Sequence, residues 1–478
     1  MSSYDIAVVG NGAVGLSLGL QLAERHTRVV VVGEPQRRWC ASAAAGAMLG
    51  CFGEVTAIGV QSPQGRARVE LAYRASKLWP DWLARICEDK PGLVTATGTV
   101  VLLNAATVAD VDDANFQTIA NTLTGYKEPF EEIDPRALEW VNGTPALRPL
   151  RALHIPGEHA VDATRLLGCL QSAFERAGGV LKRAMADRVK TEAGAVTGLS
   201  LRDGDKISAK IVVLAAGAAT QTLLDGLPDT AVQIPRLLSG FGTSLLLKGR
   251  SEGPRQVIRT PNRSFGCGLH VVPRGGADVY IGASNIIQGE PGETPIVQDV
   301  ASLMSAASEQ LRRDLWFSEI VRIQTGNRPV SLDGFPLLGP VDIDGLWLIT
   351  GMNRDGLHLS PYLSAEFADW ILENSHDPIL DSFRPQRRPI EALSRDASIR
   401  SAALQIVALG HERGWNVPPE WTRALDQQMV AVFQAVAHRV SDAFTPPPEI
   451  LSAARNSNAV AGFLCKYYAA CERLTALC

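Results

Sequence analysis

The chain is poor in the features that mark several protein classes. Its eight cysteines, Cys40, Cys51, Cys87, Cys169, Cys267, Cys465, Cys471 and Cys478, form no C-x-x-C pair, and no histidine cluster stands at metal-ligand spacing. In 478 residues that scatter argues against a zinc site and against a disulfide framework. Reduced thiols and a cytoplasmic location are the expectation. No window approaches the roughly 18 uninterrupted apolar residues of a membrane-spanning helix. The apolar start of the chain follows Asp5 and lacks both the basic residues and the small-residue cleavage site of a signal peptide. Strong net charge is absent too: the formal value is −4, which gives no electrostatic basis for binding nucleic acid or an anionic membrane. There is no internal repeat and no low-complexity tract.

What is present reads as an ordinary globular chain, with 46% hydrophobic and 20% charged residues. At about 100–200 residues per domain its length suits about three structural units. Asp5 to Val9 is a β-branched run of the kind that forms a buried parallel strand. Gly10-Asn11-Gly12-Ala13-Val14-Gly15 follows at once, then a leucine-rich helical segment ending near Arg25, then a second strand-like run from Arg28 to Val32. This strand–turn–helix–strand order is the context in which G-x-G-x-x-G binds a dinucleotide. Gly10 permits the tight turn, Gly12 lets backbone approach a pyrophosphate, and Gly15 lets the helix pack on the strand. The N–H groups opening the helix, Ala13 and Val14 among them, face the phosphates with the positive end of the helix dipole. An acidic residue is expected after the second strand to hold ribose hydroxyls. The usual spacing falls on Gly33, one place before Glu34, so Glu34 is assigned that role, with a solvated loop glutamate as the alternative.

Downstream, Tyr73 to Asp89 reads as helix, Leu93 to Leu103 as strand, and Asp162 as the N-cap of a helix running to about Gly178. Ile211 to Gly217 is another buried strand closed by a glycine turn. From about Arg236 to Ser284 successive β-runs suit an antiparallel sheet forming one wall of a pocket. Val300 to Leu315 reads as helix. Leu346 to Thr350 is a strand that leads through a turn into a helix reaching Glu373. From about Pro389 the chain is Ala-rich, with three helix candidates, one of which sets Leu425, Met429, Val432, Val436 and Val440 on one face.

Five segments then stand in a telling order. They are Ser42 to Gly50, His270 to Arg274 with Val279 to Ala283, Gly326 to Pro329, Asp333 to Pro336, and Gly351 to Pro361. Together with the N-terminal fingerprint they resemble the D-amino-acid oxidase superfamily, above all its bacterial glycine oxidases and D-amino-acid dehydrogenases, over about residues 4 to 385. The resemblance implies an α/β protein. Its Rossmann-like FAD-binding domain is built from residues 1–90, 150–225 and 320–388, its sheet-based substrate domain from 91–149 and 226–319, and a helical extension occupies 389–478.

The same resemblance implies FAD as cofactor, with Ser42, Ala43, Ala44, Ala45, Gly46, Ala47 and Met48 along the pyrophosphate and flavin. It puts Ala186 and Gly217 beside the adenine half, and Asp355, Gly356, Leu357 and His358 along the flavin ring. Arg328 matches the arginine that grips the substrate carboxylate, a role suited to a planar, bidentate guanidinium, with a structural salt bridge as the alternative. Arg354 matches a second arginine near that pocket. Two departures stand out. His358 replaces an aliphatic residue, as a flavin or substrate contact or as a satisfied pocket histidine. The stretch Pro261 to Arg274 has none of the tyrosines that glycine oxidases carry there, and His270 stands for an aromatic, which argues against glycine itself as substrate.

The implied reaction oxidises the C–N bond of an amino acid or related small amine. Hydride passes from the α-carbon to flavin N5, and the imine hydrolyses. Oxygen or another acceptor then takes the electrons. An NAD(P)H-dependent flavin monooxygenase and a non-catalytic FAD-binding subunit are the alternatives. The tail reads as an annex packing on the domain, with a lid or a homo-oligomer interface as its alternative roles.

Overall fold

In the computed structural model, the described residues are 2–87, 92–105, 111–227, 233–262, 268–412, 415 and 417–475. Two sheets organise the chain. The first has eight strands, with Leu337–Pro340, Leu346–Thr350, Lys206–Leu214, Ser2–Val9, Val29–Val32 and Val180–Lys182 side by side in that order. Its four central pairings are parallel. Val9 lies in register with Leu214 on one side and Val32 on the other, so three strands end level at one edge. The chain leaves Ser2–Val9 towards one neighbour and returns on the other side. That edge is therefore a topological switch point, where open α/β sheets bind ligands. The central strands Ser2–Val9 and Val29–Val32 are largely buried: the helices Ala13–Glu24 and Ala163–Arg176 cover one face, and Val189, Val196, Leu199 and Leu201 pack on the other. Asp162 caps the latter helix as expected, its side chain accepting from Arg165 N at 2.8 Å.

The second sheet has ten strands, and Leu237–Lys248 is paired along its whole length with Glu319–Ser331. The strands Pro149–Val161 and Glu319–Ser331, grouped on sequence with the FAD-binding segments, hydrogen-bond in this second sheet. The helix expected from Tyr73 begins ten residues earlier, spanning Pro63–Ile86. Ser62 caps it by accepting from Gly65 N at 2.9 Å, and Pro63 occupies the first turn, where a missing N–H costs nothing.

The tail forms four helices rather than three: Arg395–Glu412, Thr422–Val440, Pro448–Asn456 and Asn458–Thr475. The added helix is Pro448–Asn456, which precedes the last expected one and is separated from it by Ser457. These helices bury Phe433, Val436, Val440, Ile450, Leu464 and Tyr468 in a core of their own. That core docks on Leu238, Val330 and Leu332 at the end of the long strand pair. The junction is locked by Arg387, whose Nη2 and Nε donate to Asp333 at 2.7 and 2.8 Å, with both side chains buried.

One expectation is corrected. Cys87 and Cys169 form a disulfide, their Cα atoms 5.6 Å apart across 82 residues. The end of Pro63–Ile86 and the middle of Ala163–Arg176 pack together in the same core and bring the two cysteines into contact, which spacing along the sequence does not reveal. The cysteine argument for a cytoplasmic location falls with it. Among the described residues no helix is long and apolar enough to cross a membrane, and no His/Cys/Asp/Glu group is arranged to hold a metal ion.

Candidate functional site

A cleft of about 1940 Å³, mouth included, starts at the switch point and runs between the two sheets. Gly10, with φ at 121°, makes the turn into it. A methyl on Gly10 would lie 2.4 Å from Ala215 O. Gly15 is packed harder still, because a Cβ there would stand 1.9 Å from Gly10 O, so only glycine lets the helix seat on the strand. Gly12 instead faces the cleft. The helix Ala13–Glu24 opens with no side-chain cap and no acidic residue in its first turn, which leaves its first N–H groups and its dipole unopposed for an anion. Ala13 N is the exception, donating weakly to Ser42 Oγ at 3.3 Å.

Every sequence-assigned site residue lines this cleft except Gly15, which packs beneath it, and Ala43. The Ala43 carbonyl accepts from Gln324 Nε2 at 3.3 Å and tethers the 42–48 loop to the second sheet. Glu34 sits at the mouth, its carboxylate 3.1 Å from Arg38 Nε. The irregular spacing has a steric cause: a side chain at 33 would strike Asn11, whose Nδ2 donates to Glu34 O at 3.0 Å. Ala47 and Asn353, on facing walls, both hold left-handed backbone (φ 51° and 52°), a conformation non-glycine residues avoid unless their surroundings impose it.

At the other end of the cleft Arg328 lies across Leu237–Lys248, opposite Gly240. Gly240 and Gly242 make room for it, since a methyl on Gly242 would fall 2.3 Å from Arg328 Nη1. That nitrogen donates to Ser284 O (3.1 Å), Asn285 Oδ1 (3.2 Å) and Gly240 O (3.4 Å). Among the described residues Arg328 Nε and Nη2 have no partner, and no carboxylate pairs with the guanidinium.

Arg354 stands 3.8 Å from Glu54. Glu54 also accepts from Arg259 Nη1 (2.8 Å) and Asn262 Nδ2 (3.0 Å); against burial, the charges of Arg259 and Arg354 and these hydrogen bonds hold its carboxyl well below the usual range. His358 is buried, and its Nε2 donates to Ala72 O at 2.8 Å. A carbonyl only accepts, so the proton sits on Nε2, and Nδ1 has no partner among the described residues. Burial pushes its pKa down.

Sequence reasoning missed several cleft residues. Arg37, Arg38 and Arg202 line the nucleotide end, where runs of polar residues outside a strand carry no distinctive signal. Glu54 is set by Glu158, which accepts from Phe52 N (2.7 Å) and Gly53 N (3.0 Å). Its ion pair with Arg259 joins positions 205 residues apart. The tyrosine lacking from 261–274 comes from the neighbouring strand. Tyr280 stacks on His270 at 5.8 Å, and its hydroxyl donates to Ala44 O at 3.1 Å. His270 Nδ1 donates to Gly268 O at 2.8 Å, and burial, followed by the field of Arg259, pushes its pKa down to about 4. Part of the 261–274 stretch, residues 263–267, lies outside the described residues.

With fold and site in view, the relatives agree. The family model described as "DAO: FAD dependent oxidoreductase" matches residues 5–370, and the chain belongs to this family of FAD-dependent oxidoreductases. It is similar to the bifunctional protein ThiO/ThiG of Trichormus variabilis, 28% identical over 398 residues, which cover 80% of this chain and 55% of that protein. It is also similar to the glycine oxidase of Geobacillus kaustophilus, 27% identical over 342 residues covering 70% and 84% of the two chains. The chain spans about half the length of its ThiO/ThiG relatives. The solved structure of glycine oxidase from Geobacillus kaustophilus matches with a TM-score of 0.69 at 25% identity, over 81% of this chain and all of that one. FAD is the cofactor of this family, and the glycine cradle, uncapped helix and long cleft fit its pyrophosphate.

Proposed function

We propose that the protein oxidises the C–N bond of an amino acid or related small amine. The eight-stranded sheet carries FAD, and the ten-stranded sheet positions the substrate. The observation that supports this best is the state of Arg328. Three acceptors pin one guanidinium nitrogen, and the side chain is held in the cleft with Nε and Nη2 unpaired, the two parallel donors that fit a carboxylate. The family's cofactor accepts a hydride; this chain's residues bind and orient. Arg328 fixes the carboxylate and hence the α-carbon. His270 stays neutral at pH 7 and adds no charge to repel a substrate ammonium. Tyr280, tied to Ala44 O, props the 42–48 loop. The fingerprint residues, Glu34, and the 42–48 and 355–358 segments hold the cofactor; Ala186 and Gly217 flank its adenine half. Oxygen or another acceptor completes the cycle.

The experiment is anaerobic flavin absorbance during addition of D- and L-amino acids, N-methyl amino acids and simple amines. Bleaching by one class is expected. A yellow protein that no amine bleaches refutes the reading, and oxidation of NADPH instead moves it to a monooxygenase.

A further inference from the structure

A second chamber of about 1170 Å³, mouth included, adjoins the cleft. Gly50, Glu54, Asn353, Arg354 and Asp355 line both spaces and form the partition between them. The far wall is not part of the family fold. It is built by the tail, from Ile390 and Leu393 at its start and Thr445 to Glu449 at the head of the helix Pro448–Asn456. Val55, Ile58, Val69 and Phe335 make the near wall apolar.

The charges of this chamber nearly balance within the protein. Four carboxylates line it. Glu54 is taken by Arg259 at 2.8 Å, Asp355 by Arg68 at 2.9 Å, and Asp333 by Arg387 at 2.7 Å. Glu449, in the first turn of the helix Pro448–Asn456, accepts from its own backbone N–H but has no ion-pair partner among the described residues. Burial raises its pKa more than that N–H and its nearest cations, Arg68 and Arg354, lower it, and each of these arginines already serves another carboxylate. A half-buried carboxyl with no cation of its own is costly unless a ligand supplies one.

We propose that this chamber receives the substrate's side chain and selects an ammonium or guanidinium group on an apolar stem, held by Glu449. The assignment rests on the amine-oxidation reading, because it takes the α-carboxylate to be gripped by Arg328 on the other side of the partition. The stem lies along Val55, Val69 and Phe335, and the terminal cation supplies the ion-pair partner that Glu449 lacks. Glycine and alanine leave the chamber empty.

The test is calorimetric titration of the oxidised FAD-loaded protein with D- and L-lysine, arginine and norleucine, run beside anaerobic flavin reduction. Lysine and norleucine differ only in the terminal ammonium. Lysine or arginine is expected to bind at least tenfold tighter than norleucine, and Glu449→Gln is expected to lower that ratio at least tenfold at unchanged FAD content. Equal binding of lysine and norleucine, no binding of either cation, or an unchanged ratio in Glu449→Gln overturns the proposal. If Glu449→Gln fails to fold, the wild-type ratio decides. A cationic preference without bleaching keeps the chamber and refutes the oxidation reading; bleaching without the preference does the reverse.

Discussion

Replacing Arg328 tests the central assignment most directly. In Arg328→Leu the substrate carboxylate loses two charge-assisted hydrogen bonds, those that Nε and Nη2 offer. At about 1.5–3 kcal/mol each the loss is about 3–6 kcal/mol, or roughly 10²–10⁴ in the second-order rate of flavin reduction. The substitution also frees Ser284 O, Gly240 O and Asn285 Oδ1 from their donor, a disturbance that any substrate will feel. The two effects separate when each amino acid is compared with its decarboxylated amine in anaerobic stopped-flow. The acid is expected to lose roughly 10²–10⁴ and the amine under about tenfold. Arg328→Lys keeps the charge but not the planar fork, so it recovers only part of the loss. Equal losses for acid and amine refute the carboxylate grip and leave Arg328 as a structural tie between strands.

Four further outcomes follow from the same geometry. Gly15→Val places side-chain atoms against Gly10 O and is expected to yield protein that folds its second sheet but retains little FAD, read from the visible flavin absorbance of the purified protein; full FAD content refutes the cradle. His270 has a folded pKa pushed down to about 4, below its unfolded value. The unfolded chain therefore binds more protons between that value and about pH 6.5, so stability is complete above about pH 6.5 and falls by about 3 kcal/mol on the way to pH 4. The gap between the urea midpoints of wild type and His270→Asn is expected to be constant above about pH 6.5 and to shrink as the pH falls towards 4; a gap that does not change with pH excludes the effect. Asp333→Ala strands the buried Arg387 guanidinium at a cost of about 3–5 kcal/mol, visible as a lower urea midpoint and earlier proteolysis of the tail; an unchanged midpoint refutes the lock. Under non-reducing denaturation Cys87 and Cys169 are expected to resist alkylation, and Cys87→Ser to lose about 4 kcal/mol through the 82-residue loop; labelling of either cysteine removes the disulfide.

How much of this was readable from sequence depended on range. The fingerprint, the Asp162 cap and the central strands were legible because each is a local pattern of turn, cap and hydrophobic run. The cleft was legible because glycine- and alanine-rich segments keep their order along the chain. The Glu54–Arg259–Asn262 cluster was not, since it unites residues about 205 positions apart that each look like ordinary polar sites. The Cys87–Cys169 bond was hidden for the same reason. The start of the helix at Pro63 was missed, although Ser62 followed by proline is itself a start signal. Tyr280 was overlooked in a segment already quoted, because strand register decides which neighbour it meets, and here that neighbour is His270.

The tail changes meaning once the chambers are compared. On sequence it is an annex, and its own hydrophobic core agrees with that. Yet a purely structural annex needs only apolar contact with Leu238, Val330 and Leu332. It does not need to bring Glu449 to the edge of a void shared with Arg354 and Asp355. The buried Asp333–Arg387 pair sits where the family fold ends and the tail begins, so it fixes the position of the far wall relative to the partition. Arg328 presents unpaired donors on one side of that partition, and Glu449 on the other presents a carboxylate with no ion-pair partner among the described residues. A zwitterion with a second, distal cation satisfies both at once, whereas a short neutral side chain satisfies only the first. On the proposed reading the tail is the specificity-determining wall of an otherwise family-typical oxidoreductase, and its loss is expected to broaden substrate choice in the anaerobic flavin-reduction assay before it abolishes reduction.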